Sequence, residues 1–160
     1  MSEPETFIEG GYPAEPYSEV VPGLFQASTR YTPEEMFDLG FDALFDLCGI
    51  DRGNGWTDDR YVVHPIDDVP YLNDPQAIHD LGERAAELVQ SGKRVAVNCM
   101  SGLNRSGLLV GRALIALGHS PPEAVELVRA ARGPHALSNR QFMRFLIIDC
   151  TPRRLATQES

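Results

Sequence analysis

Val95-Ala96-Val97-Asn98-Cys99-Met100-Ser101-Gly102-Leu103-Asn104-Arg105-Ser106-Gly107 is the stretch on which the reading of this chain turns. Arg94–Asn98 is apolar and β-branched enough for a core strand, and Ser106–Leu117 carries an apolar helical pattern that Gly118 ends. Between strand and helix lies the loop from Cys99 to Arg105, with Gly102 at its middle. A strand–loop–helix unit of this kind can curl successive N–H groups around an anion, and the helix N-terminus adds partial positive charge. Arg105 adds a full charge on a planar fork that grips two phosphate oxygens. In that field a cysteine is expected to be a thiolate at neutral pH, and Ser106 is placed to donate its hydroxyl to the sulfur. The loop reads as a phosphate cradle. Cys99 is its nucleophile and Arg105 its clamp, with Met100, Ser101, Gly102, Leu103, Asn104 and Ser106 around the bound group.

The rest of the chain supplies a frame for that unit. Val20-Val21 and Leu24-Phe25-Gln26-Ala27 flank the turn pair Pro22-Gly23 and predict a hairpin. Thr32-Pro33-Glu34-Glu35 is a capping box that opens a helix ending near Gly40. Asp42–Leu47 predicts a buried strand, 49–59 a loop, and Tyr61–Ile66 a second core strand followed by a loop over 67–73. Asp74-Pro75 opens a helix with Ile78, Leu81, Ala85, Leu88 and Val89 on one face, ending at Ser91-Gly92. Ser120-Pro121-Pro122-Glu123 opens another, and a last helix is expected from Ser138 to Asp149. Strands alternating with helices predict an α/β fold: a mostly parallel sheet of four to five strands with helices on both faces. Residues 1–18, rich in Glu, Pro and Ser, read as a flexible acidic tail, residues 19–150 as one domain, and residues 151–160 as a loose C-terminal tail.

Bulk properties narrow the class. The chain has 160 residues, 42% apolar and 23% charged, which suits one globular domain. No apolar run is long enough to span a bilayer. The acidic start, Met1-Ser2-Glu3-Pro4-Glu5, lacks a signal-peptide pattern, so a cytoplasmic protein without a membrane partner is expected. Three cysteines, Cys48, Cys99 and Cys150, make no disulfide framework, and no metal-ligand spacing appears, so neither metal nor cofactor is expected. The net charge of −9 excludes nucleic acid as a natural partner. It divides unevenly: residues 1–92 hold 4 basic and 19 acidic side chains, residues 93–160 hold 10 and 4. The second half can present a positive face to a phosphate group.

The 95–107 stretch resembles the HCxxGxxRSG signature of the protein tyrosine and dual-specificity phosphatase superfamily. The likeness extends to Val21-Pro22-Gly23-Leu24-Phe25 and to Leu39-Gly40-Phe41-Asp42-Ala43-Leu44-Phe45-Asp46-Leu47, and covers residues 20–149. The compact size is similar to the dual-specificity branch. The resemblance implies a phosphomonoester hydrolase acting on a phosphorylated protein or another phosphomonoester, as a monomer, through a phosphocysteine. It departs at one position: the family has His before the nucleophile and this chain has Asn98, which cannot carry positive charge. The family's general acid is an Asp about 30 residues before the Cys. Asp68, 31 positions upstream, is the first choice and Asp67 the second; Asp58 and Asp59, beside Trp56, precede the strand and rank lower.

Two residues carry a structural and a functional reading together. Asn139 resembles a family position near the active site, and it also suits the N-cap of the last helix. Cys48 closes the strand Ala43–Leu47, so it is expected near Cys99. The lipid-phosphatase branch places there a second cysteine that captures the oxidised nucleophile as a disulfide, while a buried structural cysteine is the plainer account. No basic side chain stands among Met100, Ser101, Leu103 and Asn104, which argues against a polyphosphorylated lipid substrate. Two other functions fit the loop: a silent phosphate-binding module, suggested by Asn98, and a rhodanese-like sulfurtransferase, which leaves Arg105-Ser106-Gly107 and the Asp pair unexplained.

Overall fold

The computed structural model describes residues 6–49 and 58–158. Most of the loop expected over 49–59, Trp56 included, lies outside the described residues. The main sheet has five strands: β3 (Tyr17–Val21), β4 (Leu24–Ala27), β5 (Ala43–Asp46), β6 (Tyr61–Val63) and β7 (Val95–Asn98). Their order is β3-β4-β7-β5-β6. Only β3 runs antiparallel, joined to β4 by the turn at Gly23, whose φ of 88° a side chain would resist. β4, β7, β5 and β6 are parallel, and β4, β5 and β7 are buried along their whole length, as sheets covered on both faces require.

The register aligns the carboxyl ends. Ala27 pairs with Asn98, Asn98 with Asp46, and Asp46 with Val63, so one line across the sheet ends four strands together. The segments that follow begin at Ser28, Cys99, Leu47 and His64, and all leave from that edge, where open α/β sheets bind ligands.

Helices cover the two faces unequally. On one side α1 (Pro33–Asp38), closed by the Thr32–Glu35 capping box, sets Met36 and Phe37 against Phe25, Ala27, Leu44 and Ala96. Phe41 meets Phe25 edge-on at 4.9 Å, with the Arg94 guanidinium over both rings. On the other side α2 (Pro75–Gln90), α3 (Arg105–Ala116), α4 (Pro121–Arg132) and α5 (Arg140–Arg144) enclose Leu24, Phe45, Val95 and Val97. Helix α3 is central, buried from Ser106 to Leu114. Gly82 lets α2 approach it closely: a Cβ there would stand 2.6 Å from Arg112 Cγ.

Four expectations need correction. Residues 6–18 are not a loose tail. They form β1 (Phe7–Ile8), a turn at Gly10-Gly11, β2 (Tyr12–Pro13) and the start of β3. The reason lies far along the chain: Tyr12 stacks on His135 at 4.4 Å, and His135 Nε2 meets Gly10 O at 2.6 Å. A local Glu-Pro-Ser count cannot register such a partner. At the other end α6 (Pro152–Gln158) occupies much of the expected tail, started by a proline at its first position. The helix expected from Ser138 begins at Arg140 and widens into a π-helical turn over Phe145–Asp149. Strand β6 is also shorter than expected, although His64 N still donates to Asp46 O (2.9 Å) and Ile66 N to Leu47 O (3.0 Å) beyond its end.

A buried polar cluster joins α2 to α3. Arg112 donates from Nε to His79 Nδ1 (2.9 Å) and from Nη2 to Glu83 Oε1 (2.9 Å). Burial, and then the Arg112 cation, push the His79 pKa below its ordinary value, against weaker opposite pulls from Glu83, Asp80 and Asp149. A base depressed in the fold contributes stability fully present above its unfolded value, about 6.5. That contribution is lost as pH falls from there through the folded value. Urea denaturation should therefore show stability falling from pH 7.5 to pH 5, with the slope reduced in His79→Gln. An identical slope in the variant would dismiss His79 as the cause.

Candidate active site

The loop after β7 is held from behind by its carbonyls. Gln26 Nε2 donates to Gly102 O (3.0 Å) and Leu103 O (3.4 Å). Arg132 donates from Nε to Gly102 O (3.0 Å) and from Nη2 to Ser101 O (3.3 Å). Thr29 N donates to Met100 O (3.4 Å), and Leu137 N to Leu103 O (3.3 Å). A trans peptide unit points its N–H opposite to its C=O. Anchoring the carbonyls of Met100 to Leu103 therefore turns the N–H groups of Ser101, Gly102, Leu103 and Asn104 toward the open side. Gly102 sustains the curl with a φ of 70°, and a Cβ there would stand 2.5 Å from Arg132 Nη2 and 2.8 Å from Ala27 O.

Cys99 sits on the floor, 1% exposed, with its Sγ 3.2 Å from Ser106 Oγ. Gln26 Nε2 also donates to Ser106 Oγ (3.1 Å). With that oxygen accepting from Gln26, the one hydroxyl hydrogen of Ser106 is free to point at the sulfur. Arg105 opens α3, and its Nη1 donates to Ile66 O (3.2 Å), which ties the clamp to the segment after β6. Asn104 occupies the N-cap without capping, so the first N–H groups of α3 stay open.

Asn104 is engaged instead by the third side of the site. Its Nδ2 donates to Asp68 Oδ2 (3.0 Å), and its Oδ1 accepts from Ser138 Oγ (3.2 Å) and Asn139 N (3.1 Å). Asn139 Nδ2 donates to Asp68 Oδ1 (2.9 Å) and Val69 O (2.9 Å). Asn139 Oδ1 accepts from Gln141 N (3.0 Å) and Phe142 N (3.2 Å). Its two readings are thus one arrangement: the oxygen caps α5 and the nitrogen holds Asp68. Asp67 points elsewhere, lining a neighbouring cleft with His64, Ile66, Tyr71 and Leu72. Asp58 is bound to Arg60 (2.6 Å), whose hydrogen bonds hold its carboxyl down to about 2.

Cys48 reaches the same place. Asp46 Oδ1 accepts from Cys48 N (2.9 Å) and Gly49 N (3.1 Å), fixing the turn, while Tyr61 O–H donates to Asp46 Oδ2. The Cys48 sulfur lies within the electrostatic reach of Arg105 and Cys99. Burial raises its pKa, partly offset by Arg105. Both thiols are free. Asn98 is fully buried, and neither its Oδ1 nor its Nδ2 meets a partner among the described residues.

The sequence reading missed Gln26, Arg132 and Asp46. A signal was there: each is a polar residue in or beside an apolar element, and a buried polar group needs a partner. What could not be read was which partner, since Gln26 and Gly102 are 76 residues apart.

No family model and no curated protein sequence matches the chain. Solved structures do. A mouse protein described as a dual specificity phosphatase, complexed with zinc tungstate, superimposes with a TM-score of 0.73 at 20% identity, over 94% of this chain and 97% of that one. Human DUSP28 gives 0.73 at 20% identity, over 94% and 100%. PTPMT1 in complex with PI(5)P gives 0.71 at 14% identity, over 91% and 100%. The chain has the compact dual-specificity form of the protein tyrosine phosphatase fold.

Proposed function

We propose that this chain is a cysteine-dependent phosphomonoester hydrolase. The observation that carries the reading is the Cys99 environment: a sulfur facing the Ser106 hydroxyl, below a loop whose carbonyls are all tied to the scaffold. A phosphoryl group seated there meets inward N–H groups, the open end of α3 and, once it turns from Ile66 O, the Arg105 fork. The Cys99 sulfur attacks phosphorus as the bond to the leaving oxygen breaks, and Asp68 gives that oxygen a proton. Water then attacks the phosphocysteine with Asp68 as base, releasing phosphate and the thiolate. The mouse protein of the same fold takes up tungstate, an oxyanion, which accords with a phosphate-binding reading of this chain.

The test is hydrolysis of a small aryl phosphate by the purified chain. Activity should resist a chelator and yield to vanadate. Absence of hydrolysis alongside tungstate binding would replace this reading by the silent module, which the unpartnered Asn98 favours. Sulfur transfer from thiosulfate to cyanide would replace it by the sulfurtransferase.

A further inference from the structure

Arg132 is the last residue of α4 and is 1% exposed. A buried guanidinium ordinarily faces a carboxylate. Arg132 forms no ion pair among the described residues. Its donors go to neutral oxygens: Gly102 O (3.0 Å), Ser101 O (3.3 Å), Glu15 O (2.9 Å) and Ser18 Oγ (3.0 Å). The C-terminal end of α4 favours a cation. The result is an uncompensated positive charge fixed against the back of the cradle, within 2.5 Å of where a Cβ on Gly102 would be. Asn98, beside the nucleophile, contributes none.

We propose that Arg132 is a positioning residue for Cys99: its charge holds the sulfur as a thiolate while its donors hold the loop carbonyls outward. Burial pushes the Arg132 pKa down to about 10, so the guanidinium stays protonated at neutral pH. A role in packing alone would not need a guanidinium, and comparing Arg132→Lys with Arg132→Gln separates its charge from its four hydrogen bonds.

The proposal deepens the phosphatase reading, but its main test uses no substrate. Alkylation of Cys99 by iodoacetamide is followed across pH, with the Cys99 peptide quantified by mass spectrometry so that Cys48 and Cys150 do not contribute. Arg132→Gln should move the midpoint of the alkylation profile up by about one unit, and Arg132→Lys should leave it near wild type. Both should slow aryl phosphate turnover, because both disturb the carbonyl anchors. A Gln midpoint that coincides with wild type would overturn the proposal. Should Arg132→Gln not fold, Ser18→Asp gives the arginine a carboxylate while keeping its donors, with Ser18→Asn as neutral control. The Asp variant is then expected to raise the midpoint and the Asn variant not to, and equal midpoints would overturn the proposal. A wild-type chain that hydrolyses no phosphate would sink the phosphatase reading and leave the alkylation result standing.

Discussion

Replacing Cys99 by serine is expected to lower aryl phosphate hydrolysis by at least ~10⁴-fold while tungstate binding stays within about threefold of wild type. The two halves of the result rest on different atoms. Turnover needs a sulfur anion, and a serine hydroxyl in place of the sulfur that faces Ser106 Oγ has no comparable tendency to ionise. Binding needs the loop N–H groups, the end of α3 and Arg105, none of which the substitution touches. Calorimetric titration with tungstate and a rate assay on one preparation separate the two. Retention of more than a tenth of the activity would remove Cys99 from the mechanism. Loss of both turnover and binding in a folded variant would show that the sulfur supports the cradle itself.

Asp68→Ala is expected to slow hydrolysis of poor leaving groups by about 10²–10³-fold and of nitrophenyl phosphate much less, because a good leaving group departs without a proton. The pattern matters more than the size. Asp68 is held between two amides, from Asn104 and Asn139, one on each oxygen. Each oxygen keeps a second lone pair, so Asp68 can carry a proton while both amides hold it in place. A series of aryl phosphates with graded leaving groups gives the measurement. A rate loss equal across the series would assign Asp68 to binding, and an undiminished series would return the acid role to Asp67.

The parts of this molecule legible in the sequence are those written in neighbouring residues. The strand–loop–helix around Cys99, the Thr32 capping box and the Pro22-Gly23 turn each announce themselves within a dozen positions. The supports of the loop do not. Gln26 lies in a strand that reads as apolar, and Arg132 reads as the first residue of a loop after a helix. Only the fold, by setting β4 beside β7 and α4 beside the N-terminal segment, turns these residues into anchors. The N-terminal hairpin was illegible for the same reason: Phe7 and Tyr12 look like strays in a polar stretch until His135 is in place.

That separation bears on how the protein is made. Arg132 binds Glu15 O across 117 residues of chain, and Gly102 O takes hydrogen bonds from residues 76 positions before it and 30 after it. During synthesis the segment around Glu15 emerges early and waits for α4 to follow. The loop around Cys99 cannot close until residue 132 has cleared the ribosome. Fragments released before that point carry Cys99 without the anchored loop around it.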